Sequence, residues 1–221
     1  MENHDSVNDE YRKYSKALSA VLGYRDPFTQ RHSDRVLGLC TQLGMGCGLT
    51  DDELATLKVS SLLHDVGKIG IPDRILLKPS KLDETEWSVM ERHSEFGERI
   101  LESTELEGVH RCARAVRHHH EHYSGHGYPD KLAGEDIPIF SRIISIADSY
   151  DAMAMARPYH PSKSHREIMT ILGQETGEKF DPALMRVFST VIEHSKFKAP
   201  EVGGLESDKA ARKPDLSSFI Q

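Results

Sequence analysis

The chain has 221 residues and a formal net charge of −7, with 29% charged and 38% hydrophobic side chains. This length predicts one large domain or one domain with appendages, and the composition is that of an ordinary soluble globular protein. The acidic balance argues against binding to a nucleic-acid polymer or an anionic membrane, because both need a basic face. No apolar run approaches the roughly 20 residues of a membrane span, and the polar, acidic N-terminus predicts no secretory signal. Three cysteines without a CxxC spacing indicate reduced thiols in a cytoplasmic protein.

Hydrophobic spacing predicts a nearly all-helical protein, because apolar residues recur at helical intervals and no segment shows a clear strand pattern. Three helix starts carry a capping pattern, in which a Thr, Asp or Ser precedes a Glu by three residues. In chain order, helices are expected over 7–23, over a segment containing Val36, Leu39, Cys40 and Leu43, from Thr50 to about His64, from Asp83 through Phe96, over 107–121, over 139–155, after Ser164 and from Asp181 onward.

Composition divides the chain into three segments. Residues 1–19 are expected to form an N-terminal extension with the lead helix, and residues 20–195 the main helical domain. From about Lys196 the chain turns to residues that bury little apolar surface. Residues 196–221 are therefore predicted to be a disordered tail.

The dipeptide His64-Asp65, followed by Lys68, is the most informative local signal. Adjacent helical residues point about 100° apart, so a neighbouring His and Asp share one metal only where a helix ends and the backbone turns. Gly67 supplies such a break. An imidazole with a carboxylate suits a first-row divalent metal, and the lysine adds a cation for an anionic substrate. By itself the pair is weak evidence, because His-Asp dipeptides are common and most are structural or solvated.

Metal-competent side chains also interrupt the apolar stripes of four predicted helices. A single buried histidine is more often a hydrogen-bonded core residue than a ligand, whereas a buried carboxylate needs a partner or a metal. The recurrence on four helices favours a metal centre, for which the candidates are His32, His64, Asp65, His93, His119, His120 and Asp148. Five imidazoles and two carboxylates are too many for one ion and suit two ions that share a bridging carboxylate. Histidine-rich ligation favours Fe, Mn, Co, Ni or Zn over Mg or Ca.

These residues lie in a longer ordered series of motifs that resembles the HD-GYP family, a subgroup of the HD-domain metal-dependent phosphohydrolases. The resemblance covers roughly residues 20–190. The matching segments are His32-Ser33-Asp34-Arg35-Val36, Leu63 to Pro72, His93 with Gly97, His119-His120-Glu121, Gly125 to Pro129, Ile137-Pro138, Arg142-Ile143, Ala147-Asp148, Asp151-Ala152, Arg157-Pro158-Tyr159 and Phe180-Asp181-Pro182.

The resemblance implies an all-α HD-domain helical bundle with a Gly-Tyr-Pro loop and extra C-terminal helices. It also implies a bi- or trinuclear metal centre that hydrolyses cyclic di-GMP to linear pGpG, in some members on to GMP, in bacterial second-messenger signalling. The family's ligands correspond to the seven residues chosen above. Trinuclear members carry a glutamate four residues before the first ligand histidine, and Phe28 occupies that position here. Two ions are therefore expected, with Fe or Mn first and Co, Ni or Zn as alternatives.

Roles for single side chains follow from the same resemblance. Asp65 is expected to bridge the two ions, and Lys68 to contact the substrate phosphate. Arg157 and His160 are expected to add phosphate contacts, since a guanidinium suits phosphate oxygens and a protonated imidazole adds charge. His160 stands where the family often has a basic residue, and Ser124 where it usually has Asp or Asn. Both departures bear on affinity or substrate choice, and neither affects the ligands.

The family's signature turn is formed here by Gly127, Tyr128 and Pro129. Glycine permits tight backbone geometry and proline fixes its own φ, so this segment predicts a turn that shapes a pocket wall or offers a surface to a signalling partner. Tyr128 is the exposed aromatic candidate in that turn, and no catalytic role is assigned to it.

Two rival interpretations remain open on the sequence. The first keeps the chemistry and changes the substrate to another cyclic dinucleotide, such as cyclic GMP-AMP, or to a mononucleotide, which the Gly-Tyr-Pro series disfavours. The second is a non-catalytic module that binds a cyclic dinucleotide or a partner enzyme. A missing ligand would mark that module, and none of the seven is missing.

Overall fold

The computed structural model describes residues 15, 17–25, 27–106, 108–155 and 162–201, with only the backbone described for 27–30. Within these ranges the regular structure is helical, apart from one isolated bridge between Thr176 and Phe180. The predicted all-α fold is confirmed for this part of the chain.

The described residues form nine α-helices, preceded by helical backbone over 17–25. The helices are α1 Pro27–Gly46, α2 Asp51–Leu63, α3 Asp73–Leu76, α4 Glu84–Glu91, α5 His93–Glu102, α6 Val109–Arg117, α7 Ile139–Ala154, α8 His165–Gln174 and α9 Pro182–Ile192. Two 3₁₀ helices cover Val66–Gly70 and Gly134–Asp136.

The capping patterns in the sequence position the helix starts. Thr50 with Glu53, Asp83 with Glu86 and Ser164 with Glu167 each form a reciprocal capping box. Each box satisfies backbone N–H groups that have no partner within the first helical turn. At α9 the Asp181 carboxylate accepts from two backbone N–H groups, and proline follows as the first helical residue.

Two predicted helices are shorter than the sequence indicated. The helix expected from Asp83 through Phe96 is divided at Arg92 into α4 and α5. The helix expected over 107–121 ends at Arg117, so His119 and His120 follow it in a turn. Helical phase therefore gave the wrong reason for the inward orientation of these two histidines. Where a helix ends, the backbone turns and successive side chains can both face one point.

The helices pack around two apolar clusters. The larger one joins α1, α7, α8 and α9, with Leu43, Ile143, Tyr150 and Phe188 among its buried members. The smaller one joins α2, α5 and α6. Helix α1 also packs against α2 and α7, and α6 against α5 and α7. The candidate ligands lie on the facing sides of α1, α2, α5, α6 and α7 or in the turns that follow them.

Residues 196–201, which the sequence placed in the disordered tail, pack on the larger cluster. Phe197 contacts this cluster and Ala199 is buried within it. The Ala199 N–H donates to the Tyr150 hydroxyl at 2.9 Å, and Arg35 donates to the Phe197 carbonyl at 3.2 Å. The ordered part therefore extends beyond the predicted boundary at 195. The rest of the predicted tail, residues 202–221, and residues 1–14 of the N-terminal extension lie outside the described residues.

No helix in the described ranges is both long and apolar enough to cross a membrane. Cys40, Cys47 and Cys112 are free thiols, and Cys40 and Cys112 are buried.

Candidate metal centre

The His64-Asp65 pair lies where α2 ends and the chain turns into the 3₁₀ helix Val66–Gly70. Gly67 in that helix lies against the start of α5: a Cβ on Gly67 would be 1.8 Å from the carbonyl oxygen of His93 and 2.5 Å from the Gly97 nitrogen. Gly67 was expected to break the helix through its backbone freedom. Its importance is instead that it lacks a side chain, which lets His64 and Asp65 approach His93.

All seven candidate ligands come together in one buried region. One group comprises His93, His119 and His120, and the other His32, His64 and Asp148, with the ligand atoms of each group within 4.8 Å of one another. Asp65 lies between the groups: Oδ1 is 3.6 Å from His93 Nε2, and Oδ2 is 3.5 Å from His64 Nε2. A carboxylate with one oxygen toward each group has the geometry of a bridging ligand.

Three of the histidines are oriented by backbone carbonyls. The Nδ1–H groups of His64, His93 and His119 donate to carbonyls three residues earlier, at 2.7, 2.7 and 2.6 Å. This fixes the tautomer, so each Nε2 presents a lone pair to the centre. The three Nε2 atoms are buried and have no hydrogen-bond partner among the described residues. Buried polar atoms without partners are costly, and a divalent ion is the partner that fits three convergent imidazole lone pairs. The donor set fits a transition-metal centre.

His32 is held between two aspartates. Its Nε2 is 2.9 Å from Asp148 Oδ1, and its Nδ1 is 2.9 Å from Asp151 Oδ2. Asp151 is fully buried and also accepts from Arg35 Nε at 2.6 Å. A carboxylate behind a ligand histidine fixes the ring and raises its basicity. The sequence showed Asp151 as part of the Asp151-Ala152 motif segment and gave it no role, and its three-residue spacing from Asp148 was the available signal.

Burial and charge set the protonation of the centre in the metal-free protein. Desolvation lowers the pKa of His93 to about 4 and of His119 to about 3, and it also lowers the pKa of His120. These imidazoles are therefore neutral near pH 7, as ligation requires. Burial would raise the pKa of Asp65, but Lys68 and the surrounding histidines hold it well below its usual range. Burial also opposes charge on His32, yet Asp148 and Asp151 raise its pKa to about 9.

Lys68 lies at the edge of the centre. Its Nζ is 2.7 Å from Asp65 Oδ2, and its side chain is only partly buried, so the ammonium lies between the carboxylate and solvent. Its expected role in phosphate binding stays a prediction. Arg157 and His160, the other two expected phosphate contacts, lie outside the described residues, and their roles stay predictions.

The Gly-Tyr-Pro loop supports the centre from the side of His120. A Cβ on Gly127 would lie 2.2 Å from the His122 nitrogen and 2.5 Å from the His120 carbonyl oxygen, so glycine is required for this close approach. The Tyr128 ring lies against the His120 ring, with centroids 4.9 Å apart, and burial raises the pKa of its hydroxyl. Tyr128 is therefore not the exposed aromatic that the sequence suggested. The Tyr128 ring thus forms part of the wall beside His120.

A third cluster of potential ligands lies outside the centre. His118, the residue directly after α6, belongs to this cluster, and its Nε2 is 2.8 Å from Asp130 Oδ2. Asp130 also accepts from Arg117 Nε and NH2 at 2.6 and 2.8 Å. Glu121 completes this cluster by accepting the Asp130 backbone N–H at 2.7 Å. Because Arg117 already supplies the positive charge, we interpret this cluster as an ion-pair network that holds the loop to α6.

Comparison with known proteins agrees with this geometry. A cyclic di-GMP phosphodiesterase response regulator of Xanthomonas campestris pv. campestris is 36% identical over 178 residues, which are 80% of this chain and 47% of that protein. A 3'3'-cGAMP-specific phosphodiesterase of Vibrio cholerae is 39% identical over 177 residues, which are 80% of this chain and 33% of that protein. The chain thus spans about half or less of the length of these relatives.

The same fold is found among solved structures. An HDG"Y"P protein from Bdellovibrio bacteriovorus matches with a TM-score of 0.62 at 18% identity, over 87% of this chain and 64% of that one. The profile of the HD domain matches residues 16–184, which include all seven candidate ligands. The chain belongs to the HD domain family, as its HD-GYP-like motifs predict.

Proposed function

We propose that this chain is a metal-dependent phosphodiesterase that hydrolyses a cyclic dinucleotide at a centre of two transition-metal ions. The observation that carries the proposal is the convergence of three buried, unpaired Nε2 atoms with the carboxylates of Asp65 and Asp148, within the described residues. A set of this size has ligands for two ions, and a site built only for structure would have paired these atoms with protein donors.

The two groups of side chains divide the ligation between them. His93, His119 and His120 would hold one ion, and His32, His64 and Asp148 the other. Asp65 would contribute one oxygen to each. The bound ions would supply a Lewis acid for the phosphate and lower the pKa of water toward neutrality. With Phe28 in place of a glutamate, we propose two ions rather than three, and Fe or Mn before Co, Ni or Zn.

Lys68 would bind the scissile phosphate from the solvent side. In the metal-free structure its ammonium rests on Asp65. Ion binding by Asp65 would weaken that pair and leave the ammonium to a phosphate oxygen, where it stabilises charge that builds up during hydrolysis. Asp151 and the carbonyls behind His64, His93 and His119 would keep the rings oriented throughout.

The similarity to named relatives supports cyclic di-GMP as the first substrate to test, with linear pGpG as product and GMP after a second step. Cyclic GMP-AMP is the second candidate, because the 39% identical relative from Vibrio cholerae is named for it. Both are cyclic dinucleotides with two phosphodiesters, and the proposed metal centre would contact phosphate rather than bases. The bases are therefore selected by parts of the pocket other than the ligands.

A signalling partner that binds the Gly-Tyr-Pro loop would contact residues other than Tyr128. Tyr128 lies against His120 and is not free to meet a partner. The exposed side chains of this loop are instead His126, Asp130 and Lys131, so a partner would meet a polar surface.

The test is metal analysis of anaerobically purified protein, combined with parallel turnover of cyclic di-GMP and 3'3'-cyclic GMP-AMP. The proposal predicts close to two transition-metal ions per chain and a linear dinucleotide from at least one substrate. Lys68→Ala should keep the metal and raise KM, because its ammonium is proposed to hold phosphate and not the ions. Tight nucleotide binding without product, at full metal occupancy, would favour the non-catalytic module.

A further inference from the structure

Arg25 connects the helical segment 17–25 to the turn that carries Lys68. Its guanidinium donates to the carbonyl of Lys68 at 3.1 Å and to the carbonyls of Ile69 and Ile71. The same group pairs with the Asp73 carboxylate, with NH2 at 2.6 Å and Nε at 3.1 Å from Oδ1. One side chain from the N-terminal segment therefore contacts four successive points between Lys68 and Asp73.

The three carbonyls belong to the end of the 3₁₀ helix Val66–Gly70 and the residue after it. The last carbonyls of a helix lack partners within the helix and need other donors; here the Ile71 N–H donates to the Lys68 carbonyl at 3.1 Å, and Arg25 donates to all three. Arginine suits this task because its planar fork presents several N–H groups in fixed directions, which a lysine cannot reproduce. Arg25 thus adds side-chain donors to the end of this short helix and helps to fix the backbone of Lys68, together with the Lys68 N–H bond to the Asp65 carbonyl at 2.9 Å.

Lys68 itself gains little from other contacts. Its described side-chain contact is the ion pair with Asp65, and its side chain remains partly open to solvent. The flexible stem of a lysine gives it a precise position only if its backbone is fixed. The ligands are oriented differently: His64, His93 and His119 donate to carbonyls within their own turns. A loosened 68–73 turn would therefore displace Lys68 more than the ligands.

We propose that Arg25 is a positioning residue, which acts on substrate binding through Lys68 and makes the place of the 17–25 segment a determinant of phosphate affinity. The proposal rests on the proposed function insofar as Lys68 binds the substrate phosphate. The contact between Arg25 and the 68–73 turn can be tested without any activity.

The activity test is a double-mutant cycle between Arg25→Ala and Lys68→Ala, measured with the cyclic dinucleotide that the protein hydrolyses. Arg25→Ala alone should lower kcat/KM about tenfold, mostly through KM, since a 1 Å misplacement costs about 100-fold and the shift expected here is smaller. In the Lys68→Ala background the same change should cost less than about twofold, because two changes that act through one group are not additive. An equal loss in both backgrounds would overturn the proposal.

Three variants separate positioning from general damage. Arg25→Lys keeps the charge but loses the fork, and should recover only part of the loss. Asp73→Asn removes the ion pair while keeping the carbonyl contacts, so its effect should lie between wild type and Arg25→Ala. Arg111→Ala is the matched control, because it removes another pair between an arginine and an exposed aspartate, Asp52, on a different surface. Metal content should match wild type in all of them.

The independent readout is hydrogen exchange of the metal-loaded chain. Arg25→Ala should speed amide exchange across 66–73 and leave the peptides that cover α6 and α7 unchanged. Unchanged exchange at 66–73 would overturn the proposal whatever the kinetics show. If the wild-type protein hydrolyses no cyclic dinucleotide, the proposed function fails on that measurement, while the exchange data still decide whether Arg25 holds the turn.

Discussion

Replacing Gly67 with alanine should disrupt the metal centre although Gly67 contributes no ligand. The added Cβ would lie 1.8 Å from the His93 carbonyl oxygen, whereas real Cβ contacts essentially never fall below 3.0 Å. The 3₁₀ helix and the start of α5 must therefore separate by about 1.2 Å. Metal–ligand distances tolerate only about 0.2 Å. Asp65 could not then keep one oxygen toward each group of histidines.

We expect Gly67→Ala to lose most of its bound metal and roughly 3 kcal/mol of unfolding free energy, at the upper end of overpacking costs. The assay is metal analysis of purified protein together with thermal unfolding in the presence of chelator, which separates packing from metal binding. Gly173→Ala is the matched control, because a Cβ there meets nothing within 4 Å in α8. Wild-type metal content in a folded Gly67→Ala protein would refute the argument that this close approach builds the centre.

The other predictions concern the histidine orientation, pH and the C-terminal segment. Asp151→Asn should weaken metal binding about 10- to 100-fold, because the carboxylate behind His32 is lost, and a metal titration measures this. Without metal, unfolding free energy should be greatest near pH 6.5. Below that value the unfolded chain binds protons that folded His93 and His119 (pKa about 4 and 3) do not bind, and between there and about pH 9 the unfolded chain releases a proton that folded His32 (pKa about 9) still holds, so stability falls in both directions. Phe197→Ala should cost about 2–3 kcal/mol, measured by denaturant unfolding, because the ring packs on the larger apolar cluster.

Each of these predictions has an outcome that contradicts it. Asp52 is an exposed carboxylate paired with Arg111, so Asp52→Asn should leave metal affinity unchanged. If Asp52→Asn weakened metal binding as much as Asp151→Asn does, the loss in Asp151→Asn could not be assigned to the contact with His32. A metal-free protein that gains stability from pH 6.5 to pH 4 would contradict the burial of neutral histidines. An unaltered unfolding midpoint in Phe197→Ala would contradict the packing of residues 196–201 on the larger apolar cluster.

The clustering of the seven candidate ligands could be predicted from the sequence, because polar side chains at core positions need a partner. Histidines and an aspartate on apolar stripes imply buried polar atoms, and His64-Asp65 beside a glycine implies a turn. The sequence indicated only in part why these side chains converge. His119 and His120 face the centre from a turn after α6, and propensity does not show where a helix ends among three consecutive histidines.

Contacts between distant parts of the chain could not be read from spacing. The pairing of Arg25 with the turn after Asp65 joins residues more than 40 positions apart, and that of Arg35 with Phe197 joins residues 162 apart. Composition gave no sign that residues 196–201 pack on the helices, because that packing rests on Phe197, Ala199 and two hydrogen bonds to distant helices. The inward position of Tyr128 has the same origin, since only the packed structure supplies the His120 ring beneath it.

Asp65→Ala tests the central claim most directly, because the account places one oxygen of Asp65 toward each group of ligands. The measurement is bound metal and cyclic dinucleotide turnover on the same anaerobically purified sample, with helical content checked by circular dichroism. We expect depleted metal, no detectable linear product and a near-normal helical signal. Turnover at the wild-type rate in this variant would contradict the bridging role of Asp65 and the two-ion centre built around it.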